Sequence, residues 1–180
     1  MRVNDTHING VLVFIPTIFQ DSRGYFFETY KDEFFKKLKI PYTFVQDNES
    51  MSHKGTVRGL HFQAPPFAQA KLVRVIKGKV LDVAVDIRKD SPTYGKHISV
   101  ILSEQNKKQM LVPEGFAHGF AVLEDQTIFS YKCSAPYNKE SEVGLLWNDF
   151  DLGIDWQVDE PNISKKDLIL PKFSEFKSPF

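Results

Sequence analysis

Cysteine, uncompensated charge and long apolar runs are all scarce in this chain, and each scarcity removes a class of protein. A single cysteine, Cys133, stands among 180 residues, so no intramolecular disulfide framework exists and a reducing compartment suits the chain. Lys plus Arg and Asp plus Glu number 23 each, a formal net charge of zero, which leaves no basic field to hold a nucleic-acid backbone non-specifically. The N-terminal region offers only Val11 to Ile15 before Pro16 as an unbroken apolar stretch, too short for a signal-peptide core or a membrane span. A cytoplasmic protein with neither a membrane nor a nucleic-acid partner is expected. No repeat, linker or low-complexity segment divides the chain, so one domain over residues 1–180 is expected.

What is abundant is aromatic and β-forming. The composition is 42% hydrophobic with 16 Phe, enough for a substantial aromatic core. Gly10–Ile18, Val57–Gln63, Lys71–Ile87, His97–Leu102 and Thr127–Tyr131 read as strands, punctuated by Gly and Pro turns. Lys77-Gly78 reads as the turn of a hairpin inside the Lys71–Ile87 run, because Gly tolerates positive φ. Phe44–Ser50 starts apolar and becomes a row of amides and acids, either an ordinary polar turn or a hydrogen-bonding shelf. Lys31–Leu38 is a short peripheral helix with Phe34 and Leu38 four apart, ended by Pro41. Many short strands and almost no helix predict an antiparallel sandwich or barrel, most simply a jelly roll.

The chemistry concentrates between Gly55 and Lys71, GTVRGLHFQAPPFAQAK. Strict alternation would place Arg58 and His61 on opposite faces of a strand, unless Gly59 introduces a bulge. Of five histidines, His7, His53 and His97 read as surface or loop residues; His61 and His118 sit in Gly-bracketed strand contexts and could share an interior. A metal would require further ligands, yet Gln63 stands where a second close imidazole would be needed and Lys71 is a cation, so no metal is expected. The remaining set is a base, an acid and a cation: His61, Tyr131, and Lys71 or Arg58. Such a set suits proton abstraction beside a carbonyl, followed by reprotonation from the other face, which inverts the carbon. Taken singly, Tyr131 also reads as a packed strand tyrosine and Lys71 as a solvated strand end. Arg23 and Glu28 likewise read as a turn arginine and a strand-edge glutamate, and Cys133 as a small buried side chain.

Together the stretches RGLHFQ, AQAKLVRV, PEGFAHGF and LLWND resemble the dTDP-4-dehydrorhamnose 3,5-epimerase family, in order and over nearly the whole chain. The resemblance implies an all-β, cupin-type antiparallel jelly roll with a few short peripheral helices. It also implies an isomerase that inverts C3 and C5 of dTDP-4-dehydro-6-deoxy-D-glucose for dTDP-L-rhamnose biosynthesis, without cofactor or metal. By the resemblance His61 is the base, Tyr131 the acid on the opposite face and Lys71 the partner of the enolate. Asp167 pairs with His61, although Ser164 with Asp167 three residues on also matches a helix capping box. Arg58 and His118 shape the sugar pocket, Gln46 and Asn48 form an amide shelf, and Gln63 and Phe26 also touch the substrate. Arg23, Glu28, Tyr137, Glu142 and Lys166 serve the nucleotide, with Tyr137 stacked on thymine. A homodimer is implied, its N-terminal segment exchanged so that Arg23 and Glu28 reach the neighbouring site. Alternatives are inversion at C3 alone, another nucleotide-4-keto-deoxysugar, or a cupin sugar-nucleotide-binding module without turnover.

Overall fold

The computed structural model describes residues 1–180. In chain order come β1 (Arg2–Asp5), β2 (Leu12–Ile15), β3 (Phe19–Asp21), β4 (Gly24–Phe26), helix α1 (Asp32–Lys37), β5 (Gln46–Ser52), β6 (Thr56–Gln63) and β7 (Lys71–Lys77). Then follow β8 (Lys79–Asp86), β9 (His97–Ser103), β10 (Gln109–Val112), β11 (Phe116–Val122), β12 (Thr127–Cys133), β13 (Glu142–Gly144) and β14 (Asn162–Ile163). One sheet runs β1-β2-β10-β7-β12-β5 and the other β13-β6-β11-β8-β9, with β14 parallel beside β6; β3 and β4 form a hairpin of their own. The remaining pairings are antiparallel, the jelly-roll expectation. No helix is long and apolar enough to cross a membrane.

The sheets close on a core in which Val73, Val75, Met110 and Phe129 of the first meet Val80, Ala84, Phe120 and Val122 of the second. Phe120 of β11 stacks on Phe129 of β12 with ring centroids 4.2 Å apart, a pair that sets the spacing of the two sheets here. The second sheet is buried on its other face as well, where Leu60, Leu81, Val83 and Trp156 pack beneath the C-terminal segment. That explains why β8 reads as a nearly continuous apolar run, since a strand covered on both faces loses its alternation. A third cluster, Phe14, Phe35, Leu72 and Leu111, seats α1 on the outside of the first sheet.

Two local expectations are corrected. Lys77-Gly78 does not turn a hairpin: β7 pairs with β10 and β12, whereas β8 pairs with β9 and β11, so the chain changes sheets at Gly78. Phe44–Ser50 is not a turn either. From Gln46 it is the edge strand β5, with Asp47, Glu49 and Met51 exposed and the intervening Gln46, Asn48 and Ser50 half-buried. The expected helix stands, at Asp32–Lys37.

At the end of β8 the buried Asp86 carboxylate accepts from Arg88 Nε (2.9 Å) and Nη2 (2.7 Å), and from Ser91 Oγ and Thr93 Oγ1 (2.6 Å each), which folds the loop onto the strand. Burial alone would raise its pKa, but these donors lower it to about 2. A depressed carboxylate stabilises the fold above its unfolded pKa, and that stability is lost as pH falls toward 2. Asp86→Asn is therefore expected to cost on the order of 2 kcal/mol near neutrality. Urea unfolding of both proteins checks this: the gap should narrow on acidification from pH 5 toward pH 2, and a constant gap would remove the ionised carboxylate from the explanation.

Candidate active site

Sheet-to-sheet construction places the chemistry. Opposite Arg58 and His61, β11 has Phe120 and His118 with only Gly119 between, whereas β6 has Gly59 and Leu60 between its pair. This extra residue is a bulge in β6, and it turns Arg58 and His61 to one side, where both line a cavity of about 510 Å³. Glycine is required on both strands: a Cβ on Gly59 would lie 2.5 Å from the Cα of Gly119, and Gly59 itself has φ +132°. His118 arrives directly opposite His61, delivered by the Pro113–Gly115 turn.

From the facing sheet, β7 contributes Lys71 and β12 contributes Tyr131 to the same cavity. His61, Lys71 and Tyr131 also border an adjoining recess of about 360 Å³ that leads to Gln46, Tyr137 and Glu142. The three groups therefore stand where two lobes meet, His61 on one wall and Lys71 with Tyr131 on the other.

Each group is conditioned by its surroundings. His61 Nε2 lies 2.7 Å from Oδ1 of Asp167, whose side chain is almost fully buried. Burial pushes the Asp167 carboxyl up, yet the hydrogen bond and charge of His61 outweigh it, with Ser164 assisting, and the net shift is down. With Nε2–H donated to the carboxylate, the lone pair on Nδ1 is the basic one. The capping-box expectation is corrected: the 3-10 turn Asp167–Ile169 is preceded by Lys166 and has no side-chain cap, and Ser164 Oγ only accepts from the Asp167 N–H (3.1 Å), while the Asp167 carboxylate holds the imidazole. Burial lowers the Lys71 pKa, partly offset by Cys133, Asp82 and Glu142. Its ammonium sits 6.0 Å from the centroid of the Tyr131 ring. Burial raises the Tyr131 pKa, so the phenol keeps its proton near neutrality.

One member escaped the sequence reading. Asp82 of β8 is fully buried, and His118 Nε2 lies 3.0 and 3.1 Å from its two oxygens. Burial raises the Asp82 pKa, while His118 and Lys71 pull it down. A lone acid inside an apolar run was the available signal, because such a group is buried only when partnered. Ser52 is a second addition, accepting a hydrogen bond from Arg58 Nε at 3.1 Å.

The other predicted residues lie in three places. Tyr137, Glu142 and Lys166 meet at the mouth: the Tyr137 hydroxyl donates to Glu142 Oε2 (2.9 Å) and Lys166 Nζ lies 2.6 Å from the same oxygen. Gln46 and Asn48 border the recess and are hydrogen-bonded to each other at 3.0 Å. Gln63 also borders it, but its amide is occupied by protein backbone: it donates to Phe67 O and Pro136 O and accepts from the Asn138 N–H. Arg23, Phe26 and Glu28 are not brought to the cavity by this chain. Arg23 pairs with Asp21 on the exposed β3–β4 hairpin, where Phe26 also lies open to solvent, as does Glu28 just beyond β4. Cys133 is buried beside Lys71, as a small core side chain should be. No three His, Cys, Asp or Glu side chains gather as a metal-holding group.

Comparisons with known proteins point to one family of nucleotide-sugar epimerases. The family profile described as dTDP-4-dehydrorhamnose 3,5-epimerase matches residues 5–175. The dTDP-4-dehydrorhamnose 3,5-epimerase of Shigella flexneri is 50% identical over 174 residues, covering 96% of each chain. A crystal structure of the dTDP-6-deoxy-D-glucose-3,5-epimerase from Legionella pneumophila, in complex with dTDP-4-keto-L-rhamnose, superposes with a TM-score of 0.94 at 43% identity, covering 98% of this chain and 94% of that one. More distantly, a 3'-monoepimerase from Streptomyces bikiniensis in complex with dTDP-quinovose superposes with a TM-score of 0.89 at 32% identity, covering 94% and 86%.

Proposed function

The chain belongs to the dTDP-4-dehydrorhamnose 3,5-epimerase family, and we propose that it inverts C3 and C5 of dTDP-4-dehydro-6-deoxy-D-glucose to give dTDP-4-dehydro-L-rhamnose. The observation that carries this reading is the placement of an oriented base and a protonated phenol on opposing sheets, with a cation beside the phenol. A 4-keto group acidifies the protons on both neighbouring carbons. His61 takes one of them at Nδ1, and the electron pair moves onto the carbonyl oxygen as an enolate. Lys71 stabilises that developing charge, and Tyr131 returns a proton from the opposite wall, inverting the centre. Asp167 holds the ring and stabilises the imidazolium that forms. Arg58 and His118, the latter anchored by Asp82, hold the sugar, and Gln46 and Asn48 offer amides to it. At the mouth, Lys166 answers the diphosphate, Glu142 fixes the Tyr137 hydroxyl, and the Tyr137 ring face receives the thymine.

The test is proton NMR of this substrate with the protein in deuterium oxide. Label entering at both C3 and C5 is expected; label at C3 alone would replace the reading by single epimerisation. Binding without label would make the chain a sugar-nucleotide-binding module.

We further propose a cytoplasmic homodimer, in keeping with the one unpaired cysteine. Ile18, Phe19, Tyr25 and Phe26 expose apolar surface on and beside the β3–β4 hairpin, and β5 has an unpaired edge along the recess. A hairpin laid on the partner covers that surface and carries Arg23 and Glu28 to the partner's nucleotide. Arg23→Ala and His61→Asn proteins, each impaired alone, should regain activity when mixed and allowed to exchange subunits, because one site then holds both intact groups. No regain would return Arg23 to its own chain.

A further inference from the structure

We propose that Gln46, Gln63 and Gln69 act as an amide clamp on the Tyr137 loop, holding that ring as a fixed nucleobase platform; this rests on the nucleotide-sugar reading above. Residues Ala135–Asn138 run between β12 and a short 3-10 turn at Lys139–Ser141 and belong to no strand. Nevertheless, each of the four has a backbone group bound by a glutamine side chain. Gln69 Nε2 donates to Ala135 O (2.6 Å) and Gln63 Nε2 to Pro136 O (3.2 Å). The Tyr137 N–H donates to Gln46 Oε1 (2.9 Å), and the Asn138 N–H to Gln63 Oε1 (2.8 Å). The three glutamines come from β5, the end of β6 and the loop before β7, so the segment is gripped from separate parts of the fold.

The choice of amides has a physical consequence. Tyr137 remains 55% exposed, and a loop tyrosine left free would have to surrender backbone and rotamer freedom when a base stacks on it. A backbone fixed in advance, with the hydroxyl tied to Glu142, removes that cost before the ligand arrives. Glutamine supplies both the donors and the acceptors that four consecutive backbone groups need, and it adds no negative charge beside a diphosphate. It also does not titrate, so the loop is held across the pH range in which the catalytic groups change state. Gln63 further donates to Phe67 O (2.6 Å), tying the loop after β6 to the same platform. These glutamines are positioning residues that act through Tyr137.

The experiment is calorimetric titration with dTDP, with turnover kinetics, on the wild type, Gln69→Ala, Gln63→Met, Tyr137→Ala and the two doubles with Tyr137→Ala. Gln69 is a half-buried loop residue, and Gln63→Met keeps the bulk of a buried side chain while deleting its amide. Each glutamine variant is expected to weaken dTDP binding about five- to tenfold, with KM rising more than kcat falls. On the Tyr137→Ala background the same substitutions should add less than about twofold, because the group they position is gone. Additive losses in the doubles, or unaltered affinity in the single variants while the wild type binds dTDP, would overturn the clamp alone. A wild type that does not bind dTDP would overturn the nucleotide-sugar reading and the clamp with it.

Discussion

The His61→Ala protein is expected to lose about a thousandfold in kcat, within the range general-base removal produces, while its affinity for dTDP changes little. The reasoning begins with geometry. Only Nδ1 of His61 is free to take a proton, because Nε2 is held at 2.7 Å by a buried carboxylate whose pKa is depressed by that contact. Tyr137, Glu142 and Lys166, the proposed nucleotide groups, sit at the mouth, and removing the imidazole leaves their contacts with one another in place. Turnover and deuterium incorporation at both carbons should therefore fall together while binding persists. Parallel loss of binding would mean that His61 shapes the pocket rather than working as its base, and unchanged turnover would sink the mechanism.

Lys71→Met should cost a further large factor, about a hundredfold or more in kcat, as loss of an oxyanion partner does. Methionine preserves the bulk of the stem between the sheets and removes only the charge. The pH profile supplies an independent check with a defined sign. Lys71 must be protonated to stabilise an enolate, and burial lowers its pKa below the ordinary lysine value. Activity should consequently fail on the alkaline side at a lower pH than an exposed lysine would give, and that limb should vanish from the residual activity of the methionine variant. A residual profile with the same alkaline limb would assign it to another group, with Tyr131 the first candidate since it too must hold a proton.

Local pattern carried much of this architecture but not the identity of neighbours. The strands at Val57–Gln63 and Thr127–Tyr131 and the helix after Lys31 are all where short-range chemistry puts them. Lys77-Gly78 shows the boundary of that reasoning. A glycine with positive φ serves a hairpin and a corner between sheets equally, and only the packing of Val75 and Val80 into one core decides which is built. Edge strand β5 was obscured for a related reason: its half-buried side is lined with amides that face a cavity, so it lacks the apolar alternation by which strands are recognised. In the site, Gly59 was visible as a possible bulge between Arg58 and His61, whereas Asp82 was hidden inside a run that reads as core. Its partner His118 lies 36 residues away and is supplied by the neighbouring strand. The partners of buried charges are long-range facts, and no spacing rule in the chain encodes them.

The stack of Phe120 on Phe129 has a consequence for how such an enzyme diversifies. His61 and Tyr131, the acceptor and donor of the proposed mechanism, ride on different sheets, so the width of the gap between them is a property of the hydrophobic filling rather than of either side chain. These two rings work as a shim. A lineage that altered their thickness or tilt would shift the donor wall relative to the acceptor wall while every reacting residue stayed in place. Stereochemical outcome thereby becomes a trait that selection can tune through oil-like side chains that never exchange a proton.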